Sequence, residues 1–525
     1  MASVENGVCE MCGETRPKTE LIAGKRGAVC QACIGEIKAA RAAATLAATW
    51  ALPGRAVRFL SSSGASASVR YFGAPAPGEA SASSGQSLRE LIDAHLGTPG
   101  AHGIITASRT YPPYARVDLN RTLDLLLPRS EVACVGLPMH GQTRYAQLVG
   151  PEFHMMPFPP LPLQFEDVDI GEDSPARCLQ NALWFARGPA APHLVLLMPN
   201  HGPMGMSWQV EIVVPPGPEG HAIADRYFAA FDDAQTSASS YRGKILSFEN
   251  DPRMPGARAP LTVHRLAPVA RDEVILPAKT LALLERNVFR FAAHRDALRA
   301  MGLPLKKGLL FYGPPGTGKT HTVRYLAAAL PGHTTFLVTA QQVAFIGEHL
   351  RLARLLSPSI VVIEDIDLIA RRRQEMGSPL EEVLLNQLLN EMDGLREGAE
   401  ILFVLTTNHP ELLETALTSR PGRIDQAIEF PLPDADGRRK LARLYGRGVP
   451  MSAATLEHVV DRTDRVSASF IKELMRRAAQ FALERGGANE LAIADVDAAL
   501  DELLFSGGRL NAALLGAAGA LPQPS

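Results

Sequence analysis

No stretch of this sequence reaches the roughly 18 uninterrupted apolar residues that a membrane-spanning helix needs. The most apolar early segment, 39–60, is broken by Arg41, Arg55 and Arg58. Nor do the first 30 residues hold a signal-peptide core, because Glu5, Glu10, Glu14 and Glu20 interrupt them. The expectation is a soluble, cytoplasmic protein. Net charge is almost absent: 53 Lys and Arg stand against 55 Asp and Glu, a formal −2. That balance argues against a globally basic nucleic-acid binder, although a local basic patch would be compatible with it. Cysteine is scarce, six in 525 residues, too few for a disulfide scaffold.

What is present reads as ordinary folded protein. Apolar residues make up 46% and charged residues 21%, which excludes a wholly disordered chain. At roughly 150 residues per domain the length suggests three or four domains. Residues 1–50 form a small cysteine-bearing module. A linker covers 51–87, rich in Ser, Ala, Gly and Pro from residue 61 onward. Residues 88–265 mix short apolar runs with many prolines, and read as an α+β region that binds substrates or partners. Within it, 193–198 (HLVLLM) and 208–214 (WQVEIVV) predict strands, and 222–231 predicts a helix. From 266 to 435, apolar strands alternate with amphipathic helices, the pattern of a parallel α/β sheet. A helical lid follows over 436–505, then a flexible tail over 506–525.

Four of the six cysteines fall in the first module as Cys9-x2-Cys12, seventeen residues, and Cys30-x2-Cys33. Two such knuckles can complete a closed tetrahedral Zn²⁺ site, and a closed sphere implies a structural metal that helps a small module fold. Two redox disulfides or unliganded thiols are the alternatives. The isolated Cys134 and Cys178 read as small buried apolar residues. The segments CEMCGE, LIAG and VCQACI over about 8–40 resemble the N-terminal zinc finger of the ClpX unfoldase. That resemblance implies a treble-clef-like finger that receives protein substrates or adaptors and does not read DNA.

The strongest motif is GPPGTGKT: Gly313, Pro314, Pro315, Gly316, Thr317, Gly318, Lys319 and Thr320. It follows an apolar strand candidate, 308–312, and opens a helix candidate, 321–330, the context a phosphate-binding loop requires. Backbone N–H groups can curl around the β-phosphate of ATP, Lys319 can reach the β- and γ-phosphates, and the Thr320 hydroxyl can ligate Mg²⁺. Downstream, the strand 359–363 (SIVVI) runs into Glu364 and Asp365. One acid can hold the Mg²⁺ shell while the other orients or deprotonates water. A third strand, 401–405, leads to Thr406, Thr407 and Asn408, where a polar side chain can touch the γ-phosphate or the water.

With those pieces, residues 270–500 resemble the AAA ATPases, especially the FtsH-like and proteasomal-ATPase-like branch. The resemblance implies a three-layer α/β P-loop domain with a helical lid. It makes Asn408 the sensor residue. It also makes Arg420 and Arg423, in TSRPGRID, arginine fingers acting on a neighbour's nucleotide within a homohexamer. Phe345, Ile346 and Gly347 match the family's aromatic–hydrophobic–glycine pore loop, and Arg371, Arg372 and Arg373 fall near its second pore loop. An aromatic beside a flexible glycine can grip an unfolded chain with little sequence selectivity.

Two departures stand out. The family's usual Asp-Glu order is reversed, so by position Glu364 holds the metal shell and Asp365 is the catalytic base. Asp is one methylene shorter, and a misplacement of about 1 Å can cost about 10²-fold in rate. The family's Ser-Gly-Ala-Asp segment reads Ser467-Ala468-Ser469-Phe470 here. There is no H-E-x-x-H, which excludes a fused FtsH-type metalloprotease. No hydrophobic–Tyr–x tail is expected to dock a proteasome core, and a ClpP-docking loop is not evident. The leading expectation is an ATP-driven ring that remodels or unfolds proteins, using ATP, Mg²⁺ and Zn²⁺. A slowly hydrolysing nucleotide-switched scaffold and a nucleic-acid-dependent motor are the other two readings.

Overall fold

The computed structural model describes residues 6–8, 15–17, 21–24, 27–30, 86–97, 103–138, 144–150, 158–202, 205–237, 240–248, 261–339, 342–343, 346–368, 399–413, 424–486 and 490–506. These fall into two compact units. One comprises Met1–Asp167, Arg177–Gly202 and Met206–Gln235; the other comprises Val168–Ala176, Pro203–Gly205 and Thr236–Ser525.

The first unit opens with two short antiparallel hairpins. β1 (Asn6–Val8) pairs with β2 (Thr15–Pro17), and β3 (Leu21–Gly24) pairs with β4 (Gly27–Cys30). Helix α1 (Leu88–Leu96) starts on a capping box: Ser87 Oγ accepts from the Glu90 N–H, and Glu90 accepts from the Ser87 N–H at 2.8 Å. Then come β5 (Ile105–Tyr111), α2 (Arg116–Leu126), β6 (Ala133–Val135), α3 (Tyr145–Val149) and β7 (Gln164–Val168). β8 (Ala176–Arg187), β9 (Pro192–Gly202), β10 (Gly205–Val214) and α4 (Pro218–Ser237) complete it.

These strands form one sheet in the order β5-β10-β9-β8-β6, with β7 on β8. Both faces are buried. Trp184, Val195 and Leu197 enter one core with Tyr227 and Phe231 of α4; Leu183, Leu194 and Leu196 enter another with Leu88 and Ile92 of α1. Successive strand residues point to opposite faces, so a strand covered on both reads as an unbroken apolar run, as 193–198 does.

The second unit holds β11 (Ile245–Phe248), β12 (Leu261–His264), α5 (Ala278–Leu284), α6 (Arg295–Ala300), β13 (Lys307–Tyr312), α7 (Lys319–Ala329) and β14 (Thr334–Val338). It continues with α8 (Ile346–Leu355), β15 (Ser359–Ile363), β16 (Ile401–Thr407) and β17 (Gln426–Glu429). Strand order is β12-β11-β14-β15-β16-β13-β17, parallel except for β12. Every residue of β15 and β16 is buried, as a sheet with helices on both faces requires. Two of the seven strands, β11 and β12, precede residue 266, where the sequence pattern changes. Each has only four residues, too few to show a period.

The lid is made of α9 (Ala435–Tyr445), α10 (Ala453–Arg462), α11 (Ala468–Glu484) and α12 (Ile493–Asp501), packed around Leu441, Val459, Phe470, Leu474 and Val496. The first three start on side-chain caps. Asp434, Ser452 and Ser467 accept from the N–H groups of Gly437, Thr455 and Phe470 at 2.7, 3.0 and 3.1 Å. Each such cap is worth about 1 kcal/mol. Among the described residues no helix is long and apolar enough to cross a membrane.

Candidate functional site

The parallel sheet brings the C-terminal ends of β13, β15 and β16 together, and of the sequence-predicted site residues the loop 313–320, Glu364, Asp365 and Asn408 follow on those ends. β13 lies between β16 and β17, and its end leads into 313–320. Gly313 is forced by contact: a Cβ would stand 2.2 Å from the carbonyl oxygen of Phe430, just past β17. Gly316 has φ +75°, a left-handed backbone that side chains resist, and a Cβ there would press on Ser467 and Ser469. Pro314 and Pro315 are exposed, whereas Thr317 is buried and donates to the Pro314 carbonyl at 2.9 Å. The backbone then enters α7 at Lys319, with Thr320 exposed in its first turn.

Lys319 is 7% exposed and folds back under its own loop. Its ammonium donates to the carbonyls of Gly313 at 2.8 Å and Pro314 at 3.0 Å. Burial pulls its pKa down to about 8, against the opposing charges of Asp365 and Asp367. The lysine is thus held at the mouth of the loop by weak neutral acceptors that an incoming phosphate can replace.

Glu364 and Asp365 follow directly on β15. The Glu364 N–H donates to Val338, while its Oε1 is buried with no hydrogen-bond partner among the described residues. A buried carboxylate oxygen left unpaired is costly, and a cation would satisfy it. Glu364 therefore fits a residue that holds Mg²⁺. Asp365 has φ +48°, its N–H donates to Thr406 Oγ1 at 3.1 Å, and its Oδ1 accepts from Asn408 Nδ2 at 3.2 Å. The acid and the polar residue at the end of β16 are thereby joined.

Asp367 had no role in the sequence reading. It is 2% exposed and accepts from the Thr407 hydroxyl at 2.9 Å and the Asn408 N–H at 3.1 Å, fixing the end of β16. A second Asp two positions after the acidic pair was the signal available. Also unmarked was a cavity of about 160 Å³ beside the loop. Its walls include Val274–Leu276, Gly316–Gly318, His321, Leu441, Tyr445, Ser469 and Lys472. The departing segment 467–470 lands on this loop: the Ser469 N–H donates to the Gly316 carbonyl at 3.1 Å, and its hydroxyl does so at 3.3 Å.

Ile346 is fully buried and opens α8, with Gly347 in the helix's first turn. These two residues are therefore part of a packed helix start; neither stands in an exposed loop. Phe345, Arg371, Arg372, Arg373, Arg420 and Arg423 lie outside the described residues, as do Cys9, Cys12, Cys33 and the side chain of Cys30. Among the described residues no cluster of three or more His, Cys, Asp or Glu is placed to hold a metal ion.

A lysine under a glycine loop at the end of a central parallel strand, with a helical lid touching that loop, defines the class: a P-loop nucleotide-binding domain. Residues 309–432 match the model of the ATPase family associated with various cellular activities (AAA). The chain is 34% identical over 239 residues to the "ATP-dependent zinc metalloprotease FtsH 3" of Sphaerobacter thermophilus, covering 43% of this chain and 48% of the relative. It is 34% identical to the "Proteasome-activating nucleotidase" of Methanothermobacter thermautotrophicus, covering 45% and 56%. To the nucleotidase of the same description from Thermococcus gammatolerans it is 30% identical over 332 residues, covering 56% and 83%. The chain belongs to the AAA family. It spans about half the length of the first two relatives.

Proposed function

We propose that this chain is an ATP-hydrolysing, ring-forming protein remodeller. The observation that carries the reading is the joined strand-end cluster, in which Asn408 holds Asp365 at 3.2 Å beside the buried Lys319. Lys319 leaves its loop carbonyls for the β- and γ-phosphates of ATP. Glu364 and Thr320 would hold Mg²⁺, which would supply charge neutralisation at those phosphates. Asp365, oriented by Asn408, takes the proton of the attacking water. The names of the relatives, a proteasome-activating nucleotidase and an ATP-dependent protease, favour polypeptide as the substrate class.

In this reading Arg420 and Arg423 reach the nucleotide of a neighbouring subunit in a homohexamer. Phe345 grips the translocating chain, and the buried Ile346 anchors it to α8. Residues 88–265 and the N-terminal module select substrates or adaptors, and the site of action is the cytoplasm. Zn²⁺ is held by Cys9, Cys12, Cys30 and Cys33. The hairpins favour this: Cys9 follows directly on β1, and Cys30 closes β4. One zinc per chain by metal analysis, released on Cys9→Ser, is the expected result; zinc-free protein with intact folding would refute it.

The test of the whole reading is steady-state ATPase activity of the full chain, alone, with an unstructured polypeptide, and with DNA or RNA. Stimulation by polypeptide, lost in Phe345→Ala while basal turnover persists, is expected. Stimulation by nucleic acid alone would overturn the reading. The short reach of Asp365 favours a second one, a slowly hydrolysing scaffold. Turnover far below about one per minute even with polypeptide present would select it.

A further inference from the structure

Helix α8 is held at both ends. At its start Ile346 is fully buried, and His349, Leu350 and Ala353 follow on the same buried face. The last carbonyls of a helix have no partner within it, and here they are met by groups from outside. The Leu355 carbonyl accepts from Arg242 Nη2 at 3.1 Å, the Leu356 carbonyl from the Thr334 hydroxyl at 3.0 Å, and the Ser357 carbonyl from Arg242 Nη1. A guanidinium in that place also meets the negative end of the helix dipole.

Arg242 is itself tied down. Its Nε donates to the Ser237 carbonyl at 3.2 Å. The neighbouring Gly243 N–H donates to Thr334 Oγ1 at 3.0 Å, and the Lys244 carbonyl accepts from the Thr335 N–H at 2.9 Å. All of these residues belong to the second unit. Just past the clamped carbonyls, Ser359 begins β15, the strand that runs into Glu364 and Asp365. Arg242 therefore sits at the joint between the helix that follows Phe345 and the strand that leads to the acids. α8 has ten residues, so its two ends are about 15 Å apart. Arg242 lies ahead of 309–432, the part of the chain that matches the family. The sequence pattern gave this residue no role.

We propose that Arg242 is a positioning residue that couples the grip on polypeptide to ATP turnover. The inference rests on the remodeller reading above. A pull on Phe345 is delivered along α8, which its packed face makes a single rigid element. Because the far end of that helix is clamped, the movement reaches the turn 355–358 and β15 instead of being lost in a loose joint. Arg242 stands at the opposite end of β15 from Glu364 and Asp365. It therefore governs how strongly polypeptide changes the rate, and leaves the rate without polypeptide alone.

The experiment is steady-state ATPase of the full chain with and without an unstructured polypeptide, alongside the denaturant midpoint of each variant. Arg242→Gln should keep basal turnover and KM for ATP within about twofold of the parent and lose at least about threefold in stimulation by polypeptide. Arg242→Lys keeps a cation at the end of α8 but offers one compact head where the guanidinium spans the carbonyls of Ser237, Leu355 and Ser357. It should restore the midpoint and leave stimulation low, and it carries the test alone if Arg242→Gln does not fold. Stimulation that returns together with the midpoint would make Arg242 a cap of structural value only and overturn the inference. Full stimulation in Arg242→Gln, or loss of basal turnover in that variant while folded, would overturn it too, and in each of these cases the remodeller reading stands. A parent that polypeptide does not stimulate overturns that reading, and the inference with it.

Discussion

Asp365 holds a backbone conformation that a Glu in its place would resist. At φ +48° an L side chain crowds the carbonyl that follows it, at about 1–2 kcal/mol per residue, and Asp and Asn bear this best. The reversed acidic order thus has a local physical reason: the residue that must turn left-handed to meet Asn408 is the shorter acid. Asp365→Asn should keep the fold and nucleotide affinity and lower turnover by about 10²-fold or more. Asp365→Glu should lose about 1 kcal/mol of stability, seen as a lower denaturant midpoint. A more stable Glu variant would contradict the argument. Lys319 supplies a pH signature at the same scale. Its folded pKa of about 8 lies below the ordinary lysine value of about 10.4. Between those pH values the unfolded chain holds the proton and the folded chain does not. Stability of the nucleotide-free protein therefore rises with pH across that window, and the gain is absent below about 8. Phosphate restores the charge, so binding should take up a proton near pH 8.5, and affinity should fall as pH rises above 8. Calorimetry in two buffers of different ionisation enthalpy reads that uptake. Its absence would mean that Lys319 is already charged in the free protein.

At the scale of elements, legibility in the sequence followed burial and length. The strand read over 359–363 and the helix read over 321–330 were visible because the first is an unbroken apolar run and the second follows a loop with one known purpose, although the helix begins two residues sooner, at Lys319. The run at 193–198, inside β9, was visible for the same reason; 208–214, inside β10, alternates through Gln209 and Glu211 before its apolar end, which is also a strand pattern. β11 and β12 were not, since four residues cannot declare a period. The cavity beside the loop left no pattern at all. Its walls mix apolar side chains such as Ile275 and Leu441 with Glu273, His321, Ser469 and Lys472, drawn from 273–276, the loop, α7, α9 and α11 and brought together only by the packing of the lid. Ser469 read as a departure from a family segment. The fold gives it a task, since its N–H and hydroxyl both reach Gly316. Asp367 drew no reading from the sequence, and only the buried ends of β15 and β16 make it a clasp for Asn408.

For the whole molecule, the strand-end cluster depends on parts far apart in sequence. Residues 273–276, the phosphate loop, the acidic strand and α11 all meet within the second unit. Mass action adds to this. Nucleotide at 100 times its Kd contributes about 2.7 kcal/mol to whatever binds it, so the unit that closes around nucleotide is also the unit that nucleotide stabilises. The sheet of that unit has a border that the sequence pattern misplaces. β11 covers the side of β14 through the registers Ile245 with Thr335 and Leu246 with Phe336, and the Thr335 N–H reaches the Lys244 carbonyl. A shorter ATPase cut at residue 266 would leave that row of backbone donors and acceptors bare, an open template for another chain to add to. Anyone preparing the nucleotide-binding unit in isolation would then collect precipitate, and the loss would be misread as a failure of the nucleotide site rather than of its hem.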